Sequence, residues 1–390
     1  MFLDRLEKNN PKLIDFGLKA VKNGTVLPDS YILDLDVFKE NASYMKAEAD
    51  KYGIKLFFML KQIGRNPLIA KMLMEAGFSG AVCVDYKEAL CMIDNGIKIG
   101  NVGHLEQVPL CCLDKIVLSR PEVITVYSLE KIEQINDACK RHNLRQGLMI
   151  RLTDDDSNLY SGQIAGFDSK ELQNIIDKVN KLDNVYIKGL TVFPALLFDD
   201  KKGKIVPTSN INALNRGIEV CKNNSLDDLL INIPSCTCCS SIPLIREIGG
   251  NNGEPGHGLS GTTPLHVISD EKERVAYCYV SEISHNFKDK AYCYGGGEYR
   301  RGHMHNILIG DDYNSAIKST VSNPDIDSID YHFEIDGNFK VGEPCLMCFR
   351  TQVFTTRSNV VVIKGISEDK PEILGTFDGL GRKIGVNWHD

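Results

Sequence analysis

The stretch LFFMLKQIGRNPLIAKMLMEAG, residues 56–77, contains the pattern on which the fold of this chain depends. Its residues 56–60 form an unbroken apolar run, which is typical of a strand buried on both faces. A helical pattern follows, with Pro67 in its first turn and Gly77 just after its end. A buried strand followed by a helix predicts one βα unit of a parallel sheet.

The same unit recurs towards the C-terminus. Further apolar runs of strand length occupy residues 81–85, 97–102, 123–126, 147–152, 186–192, 229–233 and 258–259. Helical patterns separate them, and Ser128 and Asp168 are suitable N-cap residues for two of these helices. About eight βα units predict an α/β fold, a (β/α)8 TIM barrel over residues 31–265, with a doubly wound open sheet as the alternative.

The pattern changes after residue 265. Strand-like segments at 275–283, 291–294, 307–310, 345–353 and 360–364 are separated by turn residues, without long helical intervals. We therefore expect a C-terminal all-β domain over residues 266–390. Residues 1–30 are predicted to be a helical extension that packs on this domain.

Composition narrows the functional class. The chain has 390 residues and a formal net charge of −7, so it has no basic field that would attract nucleic acid or an anionic membrane. No apolar run approaches the roughly 18 to 20 residues that span a bilayer, and the N-terminus lacks the apolar region of a secretory signal. We expect a cytoplasmic protein that acts on a small molecule.

The thirteen cysteines are expected to be reduced thiols, because the cytosol disfavours structural disulfides. Two groups could contribute to a zinc site built from distant segments. Cys345 and Cys348 form a C-x-x-C motif, and residues 236–239 form C-x-C-C. Metal binding stays open at this point.

Lys61 directly follows the strand predicted at residues 56–60. Reactive groups of a β/α barrel lie at the C-terminal ends of its strands, and partial desolvation there favours a neutral, nucleophilic amine. Arg65 lies just before the next helix, where a phosphate would find a guanidinium and backbone N–H groups. A structural lysine at a strand end is the alternative.

Two later loops have the composition of phosphate sites. Small hydroxylated residues (Ser235, Thr237, Ser240 and Ser241) alternate with cysteines in 235–241 after the seventh predicted strand, and glycines recur through 253–263. Hydroxyl and backbone N–H groups of such loops bind phosphate, although the first loop could also be an ordinary helix cap. A lysine and two such loops on one barrel face together indicate a phosphate-binding site more specifically than any one of them does alone.

The order and spacing of these features resemble the fold-type III pyridoxal-phosphate (PLP) enzymes, that is, the alanine-racemase-like family, and in particular its YhfX-type branch. The resemblance covers nearly the whole chain. Residues 31–36 with Asn41 are similar to the family's opening strand, residues 235–241 to its serine-rich phosphate loop and residues 254–258 to its Arg-Pro-Gly segment.

The resemblance implies roles for individual residues. Lys61 falls at the lysine that holds PLP as a Schiff base, and Arg65 replaces a phosphate-binding tyrosine. The remaining cofactor-binding residues that it implies are His104 beside the ring, and Ser235, Thr237, Glu254, Gly256, His257 and Gly258.

Two positions depart from the family pattern. Glu254 stands where alanine racemases have an arginine that faces the pyridine nitrogen, and a carboxylate there would favour a protonated, more electron-withdrawing ring. The family's substrate-orienting arginine after the fifth strand is replaced within residues 160–163, with Gln163 as the substitute. Both changes put alanine in doubt as the substrate.

The function that the resemblance implies is PLP-dependent amino-acid racemisation. Lys61 would be one base and Tyr294, from the partner subunit of a homodimer, the other, with Tyr299 and Cys293 as alternatives. A metal-assisted D-amino-acid lyase of the same fold is a second hypothesis, for which His285, His303 or His305 would be zinc ligands. A non-catalytic PLP carrier, and a barrel that binds a phosphorylated metabolite without PLP, are further alternatives.

Overall fold

The computed structural model describes residues 1–385 as two compact units. The barrel unit comprises residues 45–59 and 70–256. The sheet unit comprises residues 1–44, residues 60–69 and the chain from His257 onward.

Eight parallel strand segments form the barrel unit, the first of them interrupted at Phe57. They are Lys55–Leu56 with Phe58–Met59, Ala81–Cys83, Ile99–Val102, Val123–Val126, Gln146–Thr153, Val185–Thr191, Leu230–Ile233 and Asn252–Gly253. The first strand pairs on both sides, since Phe57 donates its N–H to the Gly253 carbonyl at 3.0 Å and Phe58 donates to the Gly80 carbonyl at 3.0 Å. These bonds close the barrel and confirm the predicted (β/α)8 architecture.

Helices follow most of the barrel strands, as the sequence pattern predicted. They are Pro67–Glu75, Tyr86–Asp94, Leu113–Leu118, Leu129–Arg141, Leu172–Val179, Asn210–Asn223 and Ile242–Glu247. The long helix Leu35–Tyr52 precedes the first barrel strand. Ser128 accepts the Lys131 N–H at 3.2 Å and so caps its helix as predicted. A cluster of Phe57, Val82, Val123, Met149 and Leu230 fills the core of the barrel unit.

The sheet unit is built on one mixed, mostly antiparallel sheet. Its strands are Ser30–Asp34, Tyr277–Phe287, Lys290–Tyr294, Asn306–Ile309, Ile317–Thr320, His332–Asp336, Pro344–Met347, Asn359–Lys364, Glu372–Phe377 and Lys383–Ile384. The helices Phe2–Asn9 and Pro11–Lys22 precede it in the chain. A Cβ on Gly17 would lie 2.9 Å from Leu346 Cδ1, so the second helix approaches the sheet closely.

Two parts of the expected organisation differ from the structure. The strand at Ser30–Asp34 does not open the barrel; it lies in the mixed sheet, parallel to Asn359–Lys364 and antiparallel to Tyr277–Phe287. All five of its residues are buried, so its apolar run resembles that of a parallel barrel strand. The eighth barrel strand is Asn252–Gly253 rather than residues 258–259, and the sheet unit resumes at His257 rather than near residue 266.

No helix within residues 1–385 is both long enough and apolar enough to cross a membrane.

Candidate functional site

Lys61 begins a short 3-10 helix, Lys61–Ile63, which ends in a tight turn. Gly64 and Arg65 have φ angles of 71° and 55°, and the Arg65 N–H donates to the Leu60 carbonyl at 2.9 Å. The Arg65 side chain is buried, with its guanidinium carbon 5.2 Å from the centre of the Phe354 ring. A non-glycine residue in the left-handed region is uncommon and marks a turn that tertiary contacts hold in place.

His257 is a buried, neutral histidine in the sheet unit. Its Nε2 lies 2.9 Å from the Thr351 carbonyl oxygen, which can only accept, so Nε2 carries the proton. Its Nδ1 is then the acceptor that faces Arg350 Nη2 at 3.5 Å. Burial lowers the pKa of His257 well below its usual value, and the charges of Arg350 and Lys61 lower it further. Lys61 and His257 therefore lie within electrostatic reach of each other.

The loop after His257 folds back on itself. Thr262 donates its N–H to the His257 carbonyl at 2.8 Å, and the Gly261 N–H donates to the Gly258 carbonyl at 3.0 Å. A Cβ on Gly261 would lie 2.2 Å from the Arg274 carbonyl oxygen, so this turn requires glycine.

Glu254 is the central polar residue of the barrel unit and is only 3% exposed. Its Oε1 accepts from Asn232 Nδ2 at 2.8 Å and from Asn101 Nδ2 at 3.1 Å, two amides on the seventh and third barrel strands, which do not pair with each other. Its Oε2 lies 3.8 Å from His104 Nε2. These buried polar contacts hold the carboxylate in one orientation.

His104 is fully buried beside Glu254 and contacts an aromatic ring. Its imidazole meets the Phe193 ring edge to face, with centroids 5.1 Å apart and planes at 89°. His104 follows the third barrel strand and Glu254 follows the eighth. The barrel unit brings these two residues together, although they are far apart in the sequence.

The loop after the seventh strand has an unusual backbone. Ser235 and Cys236 are consecutive non-glycine residues with φ angles of 82° and 49°. Ser235 Oγ is buried and has no hydrogen-bond partner within residues 1–385. Thr237 Oγ1 accepts the Glu254 N–H at 3.2 Å, which ties this loop to the segment that carries the carboxylate.

The proposed second base lies at the end of a strand in the sheet unit. Tyr294 closes the strand Lys290–Tyr294, is 41% exposed, and has its ring centre 6.1 Å from that of His332. Cys293 is buried instead, because side chains alternate along a strand.

The candidate zinc ligands do not assemble: no group of three or more His, Cys, Asp or Glu residues is placed to hold a metal in the described part of the chain. The rings of His285 and His332 are 5.0 Å apart. In the C-x-x-C motif, Cys348 donates its thiol to the Tyr277 carbonyl at 3.5 Å, while Cys345 is buried on the strand Pro344–Met347.

Arg151 is a buried residue bonded to the His104 carbonyl, and the sequence analysis did not identify it. It lies near the end of the fifth barrel strand and is 1% exposed, with Nη2 donating to the Gln163 carbonyl at 2.9 Å. The signal was present, since a single arginine interrupts the apolar run at residues 147–152. Reactive groups of a barrel are expected in the loops after its strands, whereas Arg151 lies within its strand.

Comparison with known proteins places the chain in a family. The model of the alanine racemase N-terminal domain matches residues 33–264, and that of the YhfX-like C-terminal domain matches residues 278–373. The uncharacterised protein YhfX of Escherichia coli (strain K12) is 40% identical over 387 residues, which cover 99% of this chain and 100% of that one.

Solved structures share the fold at low sequence identity. D-threonine aldolase from Filomicrobium marinum has a TM-score of 0.69 at 16% identity, covering 92% of this chain and 96% of its own. Alanine racemase of Clostridium difficile 630 in complex with cycloserine has a TM-score of 0.64 at 16% identity, covering 91% and 99%. With its parallel barrel, its mostly antiparallel C-terminal sheet and a full-length relative at 40% identity, the chain belongs to the alanine-racemase-like family, in its YhfX-like branch.

Proposed function

We propose that this protein is a PLP-dependent amino-acid racemase in which Lys61 binds the cofactor and exchanges the substrate Cα proton. One observation carries the proposal: in a chain of this family, Lys61 lies two residues after the first barrel strand and begins a 3-10 turn whose other two residues, Gln62 and Ile63, are buried. Barrel enzymes carry their reactive groups at these strand ends.

The residues of the loop after the seventh strand fit a phosphate group. Ser235 and Cys236 are consecutive residues in the left-handed region, and turns with such backbone angles are among those whose successive N–H groups bind anions. The buried Ser235 hydroxyl, which lacks a partner within residues 1–385, would donate to a phosphate oxygen. The family resemblance adds Thr237, Arg65 and the backbone N–H groups of Gly256, His257 and Gly258 to the groups that we propose hold the cofactor phosphate.

Glu254 is proposed to accept a hydrogen bond from the cofactor ring nitrogen, with His104 beside the ring. PLP, when bound, withdraws electrons from the substrate Cα and so acidifies its proton. The amides of Asn101 and Asn232 fix the Glu254 carboxylate, which favours a ring nitrogen that carries a proton.

Racemisation needs a proton acceptor on one face of the substrate Cα and a donor on the other. Lys61 would serve one face through its Nζ. Tyr294 would serve the other through its hydroxyl, contributed by the partner subunit of a homodimer. Its exposure at a strand end is compatible with that role.

A PLP-dependent D-amino-acid lyase is the second candidate function. Glu254, in place of an arginine, favours it, because a more electron-withdrawing ring supports elimination and aldol cleavage as well as proton exchange. The solved D-threonine aldolase shares this fold and carries the name of such an activity.

Proton exchange in deuterium oxide separates these functions. The PLP-loaded protein is incubated with each of the common amino acids in both configurations, and NMR follows loss of the Cα proton while chiral chromatography follows inversion. A racemase replaces the proton and inverts the centre for at least one amino acid. Cleavage products without inversion would establish the lyase, and absence of both reactions across the panel would contradict either activity on these substrates.

A further inference from the structure

Arg151 is a buried cation in the barrel unit. It extends from the strand Gln146–Thr153 and donates from Nη1 to the His104 carbonyl at 3.2 Å, in addition to its bond to Gln163. The rings of Tyr127 and Phe193 lie 5.7 Å and 5.6 Å from its guanidinium carbon. Burial lowers the pKa of Arg151 from its usual value, yet a guanidinium keeps its proton in proteins.

This cation has no anion to neutralise it within residues 1–385. It forms no ion pair there, and its Nε is buried without a hydrogen-bond partner. A guanidinium has five N–H donors, and the carbonyls of His104 and Gln163 take two of them. Aromatic faces stabilise a cation only in part, so a buried arginine in this state has a strong tendency to take up an anion.

Its surroundings are those of the proposed reaction centre. His104, whose carbonyl accepts from Arg151, has its ring against Phe193 and lies 3.8 Å from Glu254. Gln163, the predicted substitute for the substrate-orienting arginine, contacts Arg151 through its backbone, and its buried side-chain Oε1 has no partner within the described residues.

We propose that Arg151 binds a carboxylate of the amino-acid substrate through the edge of its guanidinium that contains Nε, so that the site selects anionic substrates over their amides and amines. The inference rests on the proposed function and names its substrate class. The planar pair of N–H donors matches the two oxygens of a carboxylate, which a lysine at this position would not reproduce.

The test uses two probes of nearly equal shape on the PLP-loaded protein, propionate and its neutral isostere propionamide. Visible absorbance and the Tm are followed during titration at constant ionic strength. We expect propionate to bind and raise the Tm and propionamide to do neither. Arg151→Met should weaken propionate binding at least about tenfold, because the buried charge and its donors are lost.

Arg145→Met is the matched control, since Arg145 also lies over an aromatic ring, that of Tyr186, but on the exposed surface. Arg151→Lys keeps the positive charge but loses the planar pair of N–H donors, so it should also weaken propionate binding. It replaces Arg151→Met in the test if the methionine variant does not fold. Equal binding of the two probes by the unmodified protein, or unchanged propionate affinity in a folded Arg151 variant, would overturn the inference. A shift of the visible band in the free Arg151 variant with unchanged propionate affinity would instead assign Arg151 to the cofactor phenolate. A preparation that never develops the visible band refutes the proposed function itself.

Discussion

At the scale of the residue, Glu254 has the most directly testable chemical role. Replacing it by glutamine keeps its shape and one acceptor for the amides of Asn101 and Asn232, but removes the charge that would face the ring nitrogen. We expect Glu254→Gln to retain PLP and to lower kcat for the reaction found in the amino-acid panel by about 100-fold. Glu247→Gln, an exposed change, is the control. Full activity in Glu254→Gln would remove Glu254 from the mechanism.

His257 gives the stability of the protein a defined pH dependence. Its pKa is lower in the folded protein than in the unfolded chain, so below a pH of about 6.5 the unfolded chain binds a proton that the folded protein does not. The free energy of unfolding should therefore fall as the pH falls through this range. His257→Gln, whose amide can still donate to the Thr351 carbonyl, should reduce that slope in urea unfolding.

The slope must be compared between the wild type and His257→Gln because other groups titrate in the same pH range. Burial raises the pKa of Asp29 to about 6, which by itself makes stability fall as the pH rises towards that value. That contribution is common to the wild type and to His257→Gln and cancels in the difference. The exposed change His305→Gln should leave the slope unaltered; equal slopes for all three proteins would contradict a neutral buried His257.

Candidate site residues could be proposed from the sequence where chemistry and position coincide. Lys61 and the hydroxylated loop after the seventh strand follow predicted strands, where a barrel presents its reactive groups. Arg151 was not predictable by that route, since it lies within its strand rather than after it. The environment of Glu254 could not be predicted from the local sequence either. Its two amide partners, Asn101 and Asn232, lie 153 and 22 residues before it in the chain.

At the scale of the element, two serines of the loop after the seventh barrel strand have different expected roles, one in PLP binding and one in folding. Ser235 Oγ forms no hydrogen bond within residues 1–385, whereas Ser241 Oγ accepts the Cys238 N–H at 2.9 Å and donates to the Cys236 carbonyl at 2.8 Å. Ser235→Ala should leave the urea midpoint unchanged and weaken PLP binding about tenfold. Ser241→Ala should lower the free energy of unfolding by about 1 to 3 kcal/mol. A PLP affinity unaffected by Ser235→Ala would exclude this hydroxyl from the phosphate site.

Elements were predicted well where hydrophobic period and capping agree. The helices at Pro67–Glu75 and Tyr86–Asp94 and the cap at Ser128 are confirmed. The short, polar strands Ile317–Thr320 and His332–Asp336 were missed, because half-exposed strands at a sheet edge carry little apolar signal. The strand Ser30–Asp34 was assigned to the barrel, since burial on both faces gives the same sequence pattern in either sheet.

At the scale of the whole molecule, the division into units follows long-range pairing rather than chain order. The strand Ser30–Asp34 joins the sheet unit by pairing with segments some 250 and 330 residues later. Local patterns do not encode such partners, so the sequence predicted the two architectures and the family but not which segments belong to each unit.

The proposed shared active site makes a prediction about assembly. If Tyr294 of one subunit acts with Lys61 of its partner, Lys61→Ala and Tyr294→Phe should each be inactive as pure homodimers. After subunit exchange, half of the dimers are hybrids with one intact site, so about a quarter of wild-type activity should return. Sedimentation must first establish a dimer. Hybrid dimers without activity would place both groups in one chain or remove Tyr294 from the reaction.

The central claim is that Lys61 holds PLP, and reductive labelling tests it most directly. The protein is reconstituted with PLP, its visible absorbance is recorded, borohydride is added, and the digested chain is mapped by mass spectrometry. The account predicts a visible band that disappears on reduction, one phosphopyridoxyl group on Lys61, and neither in Lys61→Ala, while the exposed change Lys71→Ala behaves as wild type. A label on another lysine, or a protein that develops no band with excess PLP, would contradict it.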